Sequence, residues 1–572
     1  MLRRIRTGLD TNTRGRRISN GKRDRARPER CYRRHPVRRN VGYSAEHYCK
    51  VFRAIENLRT IADVILEAAD RHPDGQAFVF GKESLTYSQL VEKASGLAAF
   101  LKERGTKVGD RIGVLLPPCI ESPVAVYGSL LAGCAFVPLD PDAPGPRLEY
   151  AIRDCGISHV VTSDHLSGKL PSRDAVEQRI ESLIGVDAAS DPRTFSWEEV
   201  SEFENDDASG HGSNEDSLAY VMYTSGTTGE PKGIMHTNAS GLAYARASRD
   251  LYGVSSSDRL ANHSPLHFDI STMGYLTMPL ANGTTVLLPD AHKKMPASLS
   301  QLLETEKITI WYSVPLALTQ LVDFGAIDKR DLSSLRWILF GGEPFPTDKL
   351  KHLMDLLPHA RYSNVYGPAE VNQCTFFNFD SSISLENAVP LGQVWEAAEG
   401  IVRGRGGSDV RNGEDGELLI SSGTMMKGYW GREDLTASSV IRLRAADGEE
   451  RLFYKTRDIV RHRPDGSLDF VGRADRQVKV RGYRVELNEI EAAIRDHDGI
   501  SDCGVVVSED SEEERSIRAF AALRNGITVS KEQVLEHLAL SLPRYALPSE
   551  VLFVESIPRT PAGKIDYKAL AR

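Results

Sequence analysis

The sequence predicts an α/β protein, with a large N-terminal layered domain of sheets flanked by helices and a small C-terminal α+β domain. Two observations carry this. From about residue 60, strand-like and helix-like stretches alternate at short intervals, which argues for a layered domain with a mainly parallel sheet. Near Asp475 the pattern changes to helix, strand, strand, helix, a compact unit of about 100 residues. At 572 residues the chain is long enough for several domains of ~100–200 residues each.

Ile61, Val64, Ile65 and Ala68 recur at three- and four-residue spacing, so 60–72 is expected to be a helix. Leu90, Ala94, Leu97 and Leu101 predict another over 88–104, with Gly105 placed to end it. The apolar run Ile112–Leu116 reads as a buried strand. A helix follows at about 121–132, then strands at 135–138 and 159–162. The acidic, Gly/Ser-rich stretch 203–217 reads as an exposed loop. Alternation resumes at Leu218. In the last unit, helices are expected at 487–497 and 531–541 and strands at 502–507 and 517–523, with a boundary at 472–476.

Hydrophobic residues make up 41% and charged residues 26%, an ordinary globular composition. No apolar run approaches the ~18–20 residues of a membrane span. Seven scattered cysteines form no CxxC, which speaks against a zinc ribbon, a thioredoxin-type site or a disulfide scaffold and fits a reducing cytoplasm. The net charge of −8 hides an asymmetry: residues 1–40 carry +12 and the remainder −20. The acidic body makes nucleic acid a poor partner. The basic head, 1–52, lacks an apolar helical face and reads as a disordered tail.

The stretch Tyr223–Gly233 places four serine and threonine hydroxyls, three glycines and Lys232 within eleven residues. Glycines let backbone N–H groups approach an anion, hydroxyls add donors and the lysine adds charge. The chemistry is that of a phosphate loop, but the GxxxxGK[ST] pattern is absent. LAYVMYTSGTTGEPKG (218–233) resembles the phosphate-loop signature of the adenylate-forming superfamily, which includes acyl-CoA ligases, luciferases and nonribosomal peptide synthetase adenylation domains. Further blocks follow the family order: LTYSQL, LLAGCAFVPLD, HFDIST, NVYGPAE, GELLISSGTMMKGYW, YKTRDI, GRADRQVKVRGYRVELNEIE, LPRYALP and PAGKIDY. The likeness is greatest to free-standing amino-acid adenylation domains.

The resemblance implies a carboxylate and ATP giving acyl-AMP and pyrophosphate, then transfer to a thiol. ATP contacts are implied for Thr224, Ser225, Gly226, Thr227, Thr228, Gly229, Lys232, Gly342, Glu343, Asn364, Tyr366, Gly367 and Ala369. Thr224 and Lys564 are the implied catalytic residues, Lys564 bridging the substrate carboxylate and α-phosphate. Asp458 is implied to accept the ribose hydroxyls, its two oxygens suiting a vicinal diol. Arg473 is expected near ribose and phosphate, Tyr366 against adenine, and Glu370 on magnesium. Asp475 is the implied hinge about which a mobile small domain turns to withdraw Lys564. Three positions depart from the family pattern. Ala562 replaces an asparagine. Arg457 replaces a glycine and is expected to alter its turn. Ala369 replaces a threonine, a lost hydrogen bond to a charged group that would cost ~1.5–3 kcal/mol.

Asp269 decides the expected substrate class, since amino-acid-activating relatives pair an aspartate here with the α-ammonium, and a buried cation needs a paired anion. The rest of the implied pocket is Ile270, Met273, Tyr312, Leu339, Gly341, Val365, Gln373 and Cys374. The Gln373 amide must meet a polar substrate tip or a neighbour. A small or medium neutral amino acid is expected: proline first, then alanine, serine or threonine. Because Arg572 lies eight residues after Lys564, the thiol is expected from a separate carrier protein bearing phosphopantetheine, with coenzyme A the alternative. An acyl-CoA or aryl-acid ligase, and a non-catalytic binding protein suggested by Ala369 and Arg457, are the competing readings.

Overall fold

In the computed structural model, the described residues are 58–170, 180–187, 191–203, 212–226, 230–384, 388–404, 406–408, 410, 413–508, 516–560 and 563–571. The basic head and the phosphate-loop residues Thr227, Thr228 and Gly229 lie outside them, as does Ala562. Residues Asn57–Arg572 form one compact unit.

Two large sheets make the body. In the first, Leu218–Thr224 lies beside Ala135–Pro138, followed by Arg111–Val114, His159–Val161, Ser182–Ile184 and Thr194–Phe195, all parallel. Lys232–Thr237 returns antiparallel to Leu218–Thr224, so the phosphate loop connects two paired strands. In the second sheet, Gln76–Phe80, Thr284–Leu287, Arg259–Asn262, Ile310–Ser313, Trp337–Gly341 and Arg361–Tyr366 run parallel. Helices cover these sheets. Ile61–Arg71 starts at a Thr60–Asp63 capping box and buries Ile61, Val64, Ile65 and Ala68. Tyr87–Glu103 is capped by Thr86, and Gly105, at φ +83°, follows its end.

The sequence expectation of a mainly parallel sheet needs one correction. Ala398–Arg403, Asp415–Ser422, Glu450–His462, Val440–Arg444 and Leu468–Arg473 form a separate antiparallel sheet. Its strands mix buried and exposed positions, so they lack the continuous apolar run that marked Ile112–Leu116. Asp458 and Arg473 face each other on it.

The C-terminal part has its own core, including Ile490, Ile494, Val505, Ala519 and Val534. Strands Ile500–Ser508, Ser516–Leu523 and Glu550–Val554 pack with helices Leu487–Arg495 and Lys531–Ala539. Each expected element of this unit lies within two residues of its observed position. The strand Glu550–Val554 and the hairpin formed by Gln477–Val480 and Tyr483–Glu486 were not expected. That hairpin turns through Arg481 at φ +53° and Gly482 at φ +79°, the left-handed pair a two-residue turn requires. No helix among the described residues is long and apolar enough to cross a membrane.

Candidate active site

A cavity of about 760 Å³ opens where the two large sheets, the antiparallel sheet and the C-terminal hairpin meet. That is within the ordinary range for a ligand site. The sequence-predicted residues Thr224, Ser225, Gly342, Gly367, Ala369, Asp458 and Arg473 line one part of it. Asp269, Ile270, Tyr312, Gly341, Val365 and Gln373 line another.

At the phosphate loop, Thr224 ends its strand with Oγ1 buried and without a hydrogen-bond partner among the described residues. Thr224 lines the cavity, and a buried hydroxyl without a partner suits a phosphate oxygen, because an unpartnered buried donor is costly. Gly226 is required sterically: a Cβ there would lie 1.9 Å from the Glu230 carbonyl oxygen. Ser225 Oγ donates to the Arg484 carbonyl at 3.0 Å.

Asp458 is buried and held from two sides. Tyr366 Oη donates to one oxygen at 2.5 Å, and Arg473 Nη1 donates to the other at 2.5 Å. Arg473 also reaches Asp475 through Nε at 2.7 Å and Nη2 at 2.9 Å. Tyr366 was expected against adenine. It is instead buried in a core cluster, bonded to Asp458 and absent from the cavity wall. Asn364 likewise lies behind the wall, donating to the Pro390 carbonyl at 2.8 Å. Arg457 was expected to alter its turn. Its φ of +62° is the left-handed conformation glycine adopts freely, so the arginine has taken on that geometry at a cost in strain.

Glu370 does not stand ready for magnesium. Its fully buried carboxylate accepts two N–H groups from Arg484, at 2.7 and 3.1 Å, and one bond each from Lys232 at 3.3 Å and Tyr429 Oη at 2.8 Å. Burial alone would raise its pKa. The Arg484 guanidinium and Lys232 ammonium overcome this and hold it well below the usual carboxylate range. A carboxylate with both oxygens taken by cations and a hydroxyl cannot also bind a divalent ion, so this arrangement does not fit magnesium. No cluster of three or more His, Cys, Asp or Glu among the described residues offers another metal site.

In the substrate half, Asp269 begins a short 3-10 turn on the cavity wall. Burial raises its pKa, and the Lys479 ammonium is the largest opposing influence. Gln373 resolves its two alternatives toward a neighbour: Nε2 donates to Tyr252 Oη at 2.7 Å. Met273, Leu339 and Cys374 were expected on the wall but are buried behind it, 1%, 0% and 0% exposed. Met273 and Leu339 back the lining residues Tyr312 and Val365 in one apolar cluster. Gly341 is required by close packing, because a Cβ there would lie 2.2 Å from the Val365 carbonyl oxygen.

Lys564 is exposed and absent from the cavity wall. The hairpin supplies that wall instead, through Gln477, Lys479, Arg481, Gly482, Tyr483 and Arg484. Gly482 N–H donates to Glu343 at 2.9 Å, so this predicted ATP residue anchors the hairpin turn. Tyr483 stacks on Tyr545, ring centres 4.2 Å apart, and meets Phe268 edge-on beside Asp269. Arg147 pairs with Glu489 at 2.6 Å just beyond the hairpin. None of Lys479, Arg481 or Arg484 was singled out from sequence, although all lie in the motif block 472–491.

Comparison with known proteins gives the family. Residues 65–430 match the family described as AMP-binding enzyme, and residues 489–564 match the AMP-binding enzyme C-terminal domain. The chain therefore belongs to the AMP-binding enzymes, the adenylate-forming ligases. It is 32% identical over 515 residues to an L-proline--[L-prolyl-carrier protein] ligase of Streptomyces coelicolor, covering 88% of this chain and 94% of that protein. It is 32% identical over 521 residues to tyrocidine synthase 3 of Brevibacillus parabrevis, covering 90% of this chain but only 8% of that much longer protein. In fold it is similar to the Vibrio cholerae adenylation domain AlmE, solved with glycyl-adenosine-5'-phosphate. The TM-score is 0.75 at 22% identity, over 94% of this chain and 99% of that one.

Proposed function

We propose that this chain activates a small or medium neutral α-amino acid with ATP and passes it to the phosphopantetheine thiol of a separate carrier protein. The observation that carries this is the placement of Asp269 and Asp458 on one cavity wall with the orphaned Thr224 hydroxyl between sheet and loop. One carboxylate suits an α-ammonium, the other a ribose diol, and the hydroxyl a phosphate. The 32% identical proline ligase supports proline as the first candidate, ahead of alanine, serine and threonine.

In the first half-reaction, a carboxylate oxygen of the amino acid attacks the α-phosphorus. The bond to the pyrophosphate oxygen breaks, and pyrophosphate leaves. The chain's part is positioning and charge: Asp269 fixes the ammonium, Asp458 the ribose, and Thr224 the α-phosphate, so that the reacting atoms meet. Lys564, brought in by rotation of residues 475–572 about Asp475, screens the two anions. In the second half-reaction, the thiol sulfur attacks the acyl carbonyl, AMP leaves as the anion, and the thiol proton passes to solvent or to a base. With Lys564 exposed and the hairpin on the cavity, the observed arrangement suits this second step. We assign residues 53–474 to the core domain, 475–572 to the mobile domain, and the working compartment to the cytoplasm.

The test is loading of a phosphopantetheinylated carrier protein with radiolabelled amino acid in the presence of ATP. Label on the carrier that hydroxylamine releases supports the reading. ATP-dependent label on coenzyme A alone would replace it with an acyl-CoA ligase.

A further inference from the structure

The segment that carries Lys564 is held on both sides by groups of the C-terminal part. Before it, Thr560 N–H donates to the Lys564 carbonyl at 2.7 Å. Arg559 Nη1 donates to the Gly563 carbonyl at 2.9 Å and its other arm pairs with Asp502. After it, Asp566 N–H donates to the Pro558 carbonyl at 2.8 Å. Ile565 and Tyr567 then pack on a small apolar cluster of Val506, Ala522, Ile557 and Leu570, separate from the main core of this unit. The Lys564 side chain is left exposed, so what the fold fixes is the backbone from which the ammonium reaches.

Three residues beyond Lys564, Tyr567 carries a second set of contacts. The Arg476 guanidinium lies over its ring, 3.5 Å from the centre. That guanidinium also donates to Asn488 and Glu491 at 2.8 Å each and to the Val505 carbonyl at 2.5 Å. Glu491 is 3% exposed. It takes Arg476 and the Val505 N–H on one oxygen, Arg495 and the Tyr567 hydroxyl on the other. Arg476 thus joins helix Leu487–Arg495, strand Ile500–Ser508 and the segment after Lys564. A planar cation can do this because it donates along its edge and stacks by its face.

We infer that Arg476 and Tyr567 are positioning residues for Lys564. Their stack fixes the lysine's backbone against the helix and strand of its own unit, so that the ammonium meets the reacting atoms in register. Without the stack, the segment after Lys564 keeps only the small apolar cluster and its backbone bonds. A misplacement of ~1 Å is enough to lose about 100-fold in rate. The inference rests on the proposed role of Lys564 in the first half-reaction. The pair touches neither the cavity wall that binds substrates nor the thiol step.

The experiment compares Tyr567→Leu, Tyr567→Phe and Arg476→Met with the wild type and with Lys564→Ala, in the full chain. The substrate is whichever of proline, alanine, serine and threonine gives the strongest exchange. Two half-reactions are followed apart: ATP–pyrophosphate exchange, and transfer from the synthetic aminoacyl-AMP to a phosphopantetheinylated carrier protein. Tyr567→Leu keeps apolar bulk but loses ring and hydroxyl. Its exchange kcat should fall roughly ten- to a hundredfold, with KM for ATP and amino acid unchanged. Transfer from the adenylate should run at the wild-type rate. Tyr567→Phe keeps the stack and loses only a 3.3 Å hydrogen bond, so its kcat should stay within roughly threefold of wild type. Arg476→Met should follow Tyr567→Leu. Equal losses in both half-reactions would make the cluster merely structural and overturn the inference. Wild-type exchange in Tyr567→Leu, with Lys564→Ala inactive, would also overturn it while leaving the proposed function standing. Absence of exchange in the wild type, or undiminished exchange in Lys564→Ala, would overturn both.

Discussion

Arg473 donates to Asp458 at 2.5 Å while gripping Asp475 with its other two nitrogens. A single guanidinium thus ties the carboxylate proposed for the ribose to the residue proposed as the hinge. Under the proposed function, rotation at Asp475 would load a bidentate ion pair whose guanidinium also holds Asp458.

Replacing Arg473 with methionine leaves Tyr366 as the one side-chain hydrogen-bond donor to the 4%-exposed Asp458 among the described residues. Losing a hydrogen bond to a charged group costs ~1.5–3 kcal/mol. ATP affinity, measured by calorimetry, should therefore fall roughly ten- to one-hundred-and-fifty-fold. Lysine should recover only part of it, because a point charge cannot span both carboxylates. Unchanged affinity in the methionine variant would remove Asp458 from the nucleotide site.

Asp269→Asn keeps shape and removes charge. Amino-acid-dependent turnover should drop by at least a hundredfold, because the α-ammonium would be buried unpaired at a cost of ~3–5 kcal/mol. Binding of ATP alone should not change. A loss of ATP binding of similar size would mean that Asp269 serves the fold or the nucleotide rather than the amino acid.

Arg457 holds φ +62° without a side chain suited to it. Arg457→Gly should relieve ~1–2 kcal/mol of strain and return about half of that through the greater freedom of the unfolded glycine. The urea midpoint should rise slightly. A lower midpoint would show that the Arg457–Glu417 contact, at 3.9 Å, outweighs the strain.

Two histidines, His236 buried and His263 half-buried, set an acid limit. Burial pushes His236 down to about 4 and His263 down to about 3, from an ordinary 6.5. Both are neutral in the folded protein, so the unfolded chain binds more protons below pH 6.5, and stability falls as pH drops through that window. Each pH unit costs about 1.4 kcal/mol per group. His236 Nε2 lies 2.9 Å from the Ala369 carbonyl oxygen, so the loop carrying Ala369 and Glu370 should loosen first. The thermal midpoint should decline from pH 6.5 to 4.5, with a shallower slope in His263→Phe. A flat profile across that range would contradict the assignment.

Much of the fold was legible because its signals are local. Thr60 and Thr86 cap their helices, and the apolar spacing of 61–68 and 90–101 is what the core buries. The antiparallel sheet was not, because half-exposed strands such as Glu450–His462 carry no continuous apolar run. At the site, Asp269, Asp458 and Thr224, which lie in quoted motif blocks, and Gln373, placed by its spacing from one, line the cavity. Met273, Leu339 and Cys374 were placed by the same spacing but lie one layer deeper, a matter of depth that spacing cannot resolve. The roles of Lys479 and Arg484 depend on which face of a hairpin meets Asp269 and Glu370 across more than 100 residues of chain. That relation is tertiary.

Amino-acid adenylation itself is best checked by ATP–pyrophosphate exchange. The full chain would be assayed with the common L- and D-amino acids, benzoate and acetate, with Lys564→Ala as the blank. One dominant signal from a small neutral amino acid, lost in the blank, is expected. Exchange driven only by benzoate or acetate, or an undiminished signal in Lys564→Ala, would contradict the proposed chemistry.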